Sequence, residues 1–147
     1  MRLENARYVL SVHDPRKLPP GSLPEVAFIG RSNAGKSSAL NTLAGRRRLA
    51  FVSKTPGRTQ LINFFAVDSE AFLVGLPGGG CAGVPLAVRQ HWDTLVGEYI
   101  FHREALVGVI VVMDSRHPLM PQDRRLLDWL LPSGRNVHVL LSKSDKL

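Results

Sequence analysis

The 147 residues are 44% hydrophobic and 21% charged, which supplies a core for one soluble domain and excludes a disordered or fibrous chain. The single cysteine, Cys81, excludes a disulfide framework or a cysteine-built metal site, so a reducing cytoplasm is the expected compartment and Cys81 reads as a small loop residue. No apolar run is long enough for a membrane span, and an N-terminus with Glu4, Asn5 and Arg7 scattered through it has no signal-peptide core; the formal net charge of +7 predicts salt-sensitive attraction to polyanions.

Strands and helices alternate without repeats or low-complexity tracts, the order of an α/β layered domain. Residues 1–22 read as a short lead-in, at 5–13, followed by the proline-rich linker Pro15 to Gly21, and the domain proper is expected over 23–147. Glu25 to Ile29 reads as a buried strand and Ser37 to Leu43 as a packed helix. Between them, Gly30-Arg31-Ser32-Asn33-Ala34-Gly35-Lys36-Ser37 fits the phosphate-loop pattern G-x-x-x-x-G-K-[ST] at every specified position. Chance alone gives such a match in a chain this long on the order of once in a few hundred. The chemistry needs these residue types. Glycines let the backbone curl so that successive N–H groups meet phosphate oxygens near a helix N-terminus. Lys36 then reaches the β- and γ-phosphates, and Ser37 offers its hydroxyl to Mg²⁺.

Arg46-Arg47-Arg48 follows that helix, either as cations suited to its negative end or as an RNA or ribosome contact. Ser53 to Gln60, with Pro56-Gly57, reads as a flexible segment beside the nucleotide. Leu61 to Val67 and Ala71 to Leu76 read as hairpin strands turning at Asp68-Ser69-Glu70. A glycine-rich loop from Pro77 to Gly83 precedes a helix from about Val84 to Ile100 containing Trp92 and Tyr99. Leu106 to Met113 reads as a central parallel strand covered on both faces. Pro121 to Leu131 has helical leucine spacing, with Asp123 near its start and Pro132 and Gly134 to stop it. Val137 to Leu141 reads as one more buried strand.

That last strand runs into Ser142-Lys143-Ser144-Asp145. Guanine presents N1–H and an exocyclic amine side by side, and one carboxylate accepts from both, which adenine does not allow. Asp145 is placed for this, with the Lys143 stem along the base and the Ser142 hydroxyl bracing the loop. A K-x-D triplet alone is weak; after a phosphate loop, at the C-terminal end of a parallel strand, it points to guanine and away from an ATP-using enzyme.

With these pieces the sequence resembles the EngB/YihA (YsxC) family of bacterial GTPases, within the TrmE-Era-EngA-EngB class of P-loop proteins. The resemblance spans almost the whole chain. It is carried by Gly30 to Ser37 with Ser38, by Ser53 to Gln60 followed by Asn63-Phe64-Phe65, by Leu76-Pro77-Gly78, by Asp114 to Pro118 and by Leu141 to Leu147. It implies a three-layer G domain with a mostly parallel sheet, GTP binding and hydrolysis with Mg²⁺, a part in assembly of the large ribosomal subunit, and a link to normal cell division and septation. A monomer is expected, with its basic surface meeting ribosomal RNA.

Carried over by position, Thr59 resembles the switch threonine that joins Ser37 on Mg²⁺ when the γ-phosphate is present, with Thr55 as the second candidate and Gly57 and Arg58 beside it at the nucleotide. Gly78 offers its N–H to the γ-phosphate, after Gly75, Leu76 and Pro77. Asn33 matches an asparagine that some relatives use to hold K⁺ in place of an arginine finger, or else simply braces its turn. Catalysis would then rest on Lys36, Thr59 and Asn33.

Three departures limit this. The family has Asp where this chain has Gly75, which implies weaker Mg²⁺ support and slower hydrolysis. Gly79-Gly80 stand where Tyr-Gly is usual, implying a looser second switch with nothing to orient an attacking water. Family members continue beyond the position of Leu147 through a further strand and helix and a loop backing the base, so a C-terminally incomplete G domain with an uncovered sheet edge is expected. A hydrolysis-deficient nucleotide-binding or ribosome-docking module is therefore the alternative to an active GTPase.

Overall fold

The computed structural model describes residues 1–31, 35–45, 60–78 and 86–142. Six strands form one sheet: β1 (Arg7–Val12), β2 (Glu25–Ile29), β3 (Ile62–Val67), β4 (Ala71–Gly75), β5 (Leu106–Asp114) and β6 (Val137–Ser142), in the order β1-β3-β4-β2-β5-β6. Helices α1 (Lys36–Leu43), α2 (Leu86–His102) and α3 (Pro121–Leu130) cover it. β4, β2, β5 and β6 run parallel, while β3 pairs antiparallel with both β4 and β1.

The strand alternation builds the layers. Ile29, Phe64, Val74, Val109 and Val111 face α2 and α3, where they pack with Leu95, Tyr99, Ile100 and Leu130. Phe28, Phe65, Leu73 and Val112 point the other way, onto Ala39 and Leu40 of α1. Runs such as Glu-Val-Ala-Phe-Ile and Leu-Val-Gly-Val-Ile-Val-Val-Met lack polar alternation because both faces are covered. The α/β architecture with a mostly parallel sheet is the one expected from the chain.

Two expectations need correction. The first 22 residues are not merely a lead-in and linker: Arg7–Val12 is an edge strand hydrogen-bonded to β3 and burying Val12. Its N-terminal flank is tied down as well, since Asp68 in the β3–β4 turn accepts from the Arg2 N–H at 2.6 Å and from the Asn5 Nδ2 at 2.7 Å. Those two hydrogen bonds hold the Asp68 carboxyl below its usual range, Arg2 contributing the larger share. β6, whose apolar run read as buried, lies at the edge of the described sheet, in keeping with the uncovered edge also expected, and leaves Val139 and Leu141 about half exposed, at 50% and 52%. An apolar run reads the same whether a strand has neighbours on one side or two, so only the strand order could separate these cases.

The hairpin turns where expected, with Asp68 and Ser69 at φ of 51° and 56° and the Glu70 N–H donating to the Val67 carbonyl at 2.9 Å. At the base of the sheet, away from the C-terminal strand ends, Glu25 is fully buried. It accepts from the Tyr99 hydroxyl at 2.7 Å and from Arg103 Nε and Nη2 at 3.1 and 2.8 Å. Burial, then the neighbouring Glu25 charge, pushes the Tyr99 phenol well up. Arg135 closes the same end by donating to the carbonyls of Ile100, Leu106 and Arg103 at 2.8, 2.7 and 2.6 Å.

Candidate nucleotide-binding site

The parallel strands β4, β2, β5 and β6 end on one side of the sheet, and of the sequence-predicted site residues Gly30, Arg31, Gly35 to Ser38, Gly75 to Gly78 and Ser142 are described, at or next to the ends of β2, β4 and β6 and the start of α1. In open α/β sheets this is where ligands bind. Gly30 leaves β2 buried, and Arg31 follows it. The loop re-enters described structure at Gly35, whose φ of 100° is a conformation L side chains rarely adopt, which explains glycine at this position. Gly35 caps α1 and its carbonyl accepts from the Ala39 N–H at 2.8 Å.

Lys36 is the first residue of α1, and its Nζ donates to the carbonyl of Leu76. Leu76 is held in place because its own N–H continues the sheet, donating to the Phe28 carbonyl at 2.9 Å. Thus the phosphate-loop lysine and the segment beyond β4 meet directly. The residue is partly exposed, yet protein atoms crowd its ammonium, and loss of water lowers its pKa to about 8. Among the described residues no carboxylate compensates that charge. An enclosed cation at the positive end of a helix dipole fits a phosphate.

Ser37 is half-buried and Ser38 exposed in the first turn of α1. Gly75 ends β4, buried, and a Cβ there would meet Leu40 Cδ1 at 3.5 Å and Phe65 Cε2 at 3.8 Å, ordinary contact distances. Glycine is therefore not forced by packing. The carbonyl of Pro77 accepts from Trp92 Nε1 at 2.7 Å, tying the segment before Gly78 to α2. At the end of β6, the Ser142 hydroxyl donates to the Met113 carbonyl at 3.2 Å, and its carbonyl accepts from the Ser115 N–H at 2.9 Å. Ser142 thus ties the end of β6 to the end of β5.

Ser32, Asn33, Ala34, Thr55, Gly57, Arg58, Thr59, Lys143, Ser144 and Asp145 lie outside the described residues, as do Arg46 to Arg48 and Gly79 to Cys81. Among the described residues no group of three or more acidic, histidine or cysteine side chains could hold a metal ion. Ser37 together with a nucleotide's own phosphate oxygens is a donor set that suits Mg²⁺, which keeps several waters and leans on phosphates.

Sequence reading noted Asp123 and Trp92 but gave neither a place at the site. Asp123 is fully buried, with Oδ1 3.3 Å from Arg31 Nε. An acidic residue in the first turn of a helix was the available signal, but such a residue ordinarily caps its own helix.

The phosphate loop at the tip of a parallel strand, leading into α1 in this strand order, defines the class: a P-loop G domain. Solved structures share the fold, among them a GTP-binding protein engB (TM-score 0.60, 20% identity, 84% of this chain and 72% of that one). Another is Era in complex with MgGDPNP and a segment of 16S ribosomal RNA (TM-score 0.64, 22% identity, 85% of this chain and 42% of that one). The family model described as a 50S ribosome-binding GTPase matches residues 25–143. A "Probable GTP-binding protein EngB" of Azoarcus sp. (strain BH72) is 57% identical over 143 residues, 97% of this chain and 68% of that protein. Its namesake in Aromatoleum aromaticum is 59% identical over 97% of this chain and 66% of its own length, and that of Neisseria gonorrhoeae 56% identical over 98% and 68%. This chain belongs to the EngB family of GTP-binding proteins. It spans about two thirds of the length of these relatives. Among the described residues no helix is long and apolar enough to cross a membrane.

Proposed function

We propose that this chain binds GTP and GDP with Mg²⁺, hydrolyses GTP, and acts in the cytoplasm as a monomer in assembly of the large ribosomal subunit, with a link to normal cell division and septation. The observation that carries the reading is the Lys36 ammonium, enclosed at the N-terminus of α1 behind a left-handed Gly35 and without a described counter-charge. Such a cation at a helix N-terminus suits a phosphate. The curated relatives named GTP-binding protein EngB support guanine as the base, with Asp145 accepting from its N1–H and amine, Lys143 along the ring and Ser142 bracing the loop. The net charge of +7 supports an RNA partner.

In this reading catalysis is positioning and charge neutralisation of an in-line attack by water. Lys36 and the Gly78 N–H hold the γ-phosphate side, Ser37 and Thr59 would hold Mg²⁺, and Asn33 would orient K⁺. When bound, Mg²⁺ would supply neutralisation of developing phosphate charge.

One observation favours a second reading, a hydrolysis-deficient nucleotide-binding or ribosome-docking module. Gly75 puts no carboxylate at the end of β4, although the geometry there leaves room for a Cβ. Titration of a fluorescent GDP analogue with and without Mg²⁺, followed by GTP hydrolysis in K⁺ and in Na⁺, separates the two. Binding with turnover supports the GTPase, binding with no rate above background in either salt leaves the module, and no binding overturns both. Asp145→Asn is expected to shift preference from guanosine to xanthosine nucleotides.

A further inference from the structure

Arg31, the second residue of the phosphate loop, and Asp123, the third residue of α3, form a contact the nucleotide-binding scheme above does not use. The Asp123 side chain is fully buried and that of Arg31 is 18% exposed, with Nε 3.3 Å from Oδ1. The other carboxylate oxygen, Oδ2, accepts from the Met120 N–H at 3.0 Å. One carboxylate therefore grips the phosphate loop with one oxygen and the β5–α3 connection with the other. That connection is itself built to hold its shape. Leu119 sits at φ 55°, a conformation non-glycine residues adopt only when their surroundings impose it. Arg124 fastens it by donating from Nε to the Leu119 carbonyl and from its N–H to the Met120 carbonyl, both at 3.0 Å.

We propose that Asp123 is a positioning residue for the phosphate loop, acting through Arg31 to fix the start of the loop against α3 and to hold the Arg31 cation away from the phosphates. The proposal rests on the guanine-nucleotide reading. Stability alone is a poor reason for such a pair, because an apolar pair of similar volume usually does as well in a buried setting. A charge pair adds a defined position. The contact is not aligned as a hydrogen bond, and both Arg31 Nε and Asp123 Oδ1 are without one.

The test separates position from stability. Urea unfolding and titration of a fluorescent GDP analogue are measured for wild type, Arg31→Met, Asp123→Asn, Arg31→Lys and the double variant Arg31→Met/Asp123→Asn, in which the Asn carbonyl can still accept from the Met120 N–H. Arg31→Met and Asp123→Asn are expected to weaken binding roughly tenfold, the scale of ordering one contact, with Arg31→Lys staying within about threefold of wild type. The double variant is expected to recover the unfolding midpoint but not the affinity. Should it recover both, or should the single variants lower the midpoint and bind as wild type does, the pair is only a structural staple and the proposal is overturned. Wild type failing to bind the analogue would instead overturn the underlying nucleotide reading, and this proposal with it.

Discussion

Replacing Lys36 by methionine should make the nucleotide-free chain more stable while removing its response to nucleotide. Burial lowers the ammonium from its ordinary value of 10.5 to about 8. At about 1.4 kcal/mol per pH unit that is roughly 3 kcal/mol against the folded state at neutral pH, trimmed to about 2 by partial exposure. Methionine keeps most of the stem but leaves the Leu76 carbonyl without its donor, at about 1 kcal/mol, so a net gain of about 1 kcal/mol is expected at pH 7. The pH dependence gives the signature. The folded pKa lies below the unfolded one, so between pH 8 and 10.5 the unfolded chain holds more protons and wild-type stability rises with pH. The variant's advantage should therefore shrink through that window and be gone near pH 10. Urea unfolding followed by far-UV circular dichroism, without nucleotide, reads both. In wild type, GDP at about 100 times its Kd should add about 2.7 kcal/mol, and in the variant nothing comparable. A variant less stable at pH 7, or an advantage that does not change between pH 7 and 10, would refute the enclosed-cation argument.

The same ammonium should take up part of a proton when phosphate arrives, so calorimetry of GDP binding at pH 8.5 should show a heat that varies with buffer ionisation enthalpy; equal heats in all buffers would contradict this. Gly75→Asp, whose Cβ would meet its neighbours at ordinary contact distances of 3.5 and 3.8 Å, should raise the Mg²⁺ dependence of GTP-analogue affinity by about tenfold; an unchanged Mg²⁺ response would mean that the carboxylate does not reach the metal. Glu25→Gln should cost about 3 kcal/mol in urea unfolding by leaving Arg103 buried beside a neutral group. Its nucleotide affinity should stay within about twofold of wild type, since the pair lies at the other end of the strands; a larger loss would place it in the binding machinery. Arg135→Met should destabilise by about 2 kcal/mol by removing its donors to the carbonyls of Ile100, Leu106 and Arg103, the last of which still accepts from the Leu106 N–H at 3.3 Å, read as a lower midpoint at unchanged slope.

What could be read from the chain, and what could not, follows from how far each signal reaches. Gly35, Lys36 and Ser37 announce themselves because a phosphate cradle needs its residues at fixed local spacing, and the structure places them at the head of α1. Strands β2 and β5 were legible because their apolar runs are covered on both faces. Arg7–Val12 was not: Arg-Tyr-Val-Leu-Ser-Val is a short, mostly exposed edge, and its pairing with Ile62–Val67 depends on a partner far along the chain. The contacts of Glu25 with Arg103, of Arg31 with Asp123 and of Lys36 with Leu76 have the same character. Each residue has an ordinary local explanation as a strand-end charge, a loop cation or a helix cap, and only the sheet order brings the partners together. Gly75 is the converse case. Its departure from the family pattern was visible in sequence, while the room beside Leu40 that makes it reversible was not.

The bond from Trp92 Nε1 to the Pro77 carbonyl has a spectroscopic consequence. The two tryptophans of the chain are neighbours, Trp92 and Trp129 lying with ring centroids 5.2 Å apart and Phe101 stacked edge-on to Trp129 at 5.4 Å. All intrinsic indole emission therefore comes from one aromatic cluster, hydrogen-bonded at one edge to the residue just before Gly78. Any rearrangement that draws Pro77 toward a γ-phosphate must break or bend that bond and change the polarity at one indole nitrogen. The molecule thus carries an unlabelled optical reporter of the segment beyond β4, and GDP and GTP analogues should be distinguishable by emission wavelength alone.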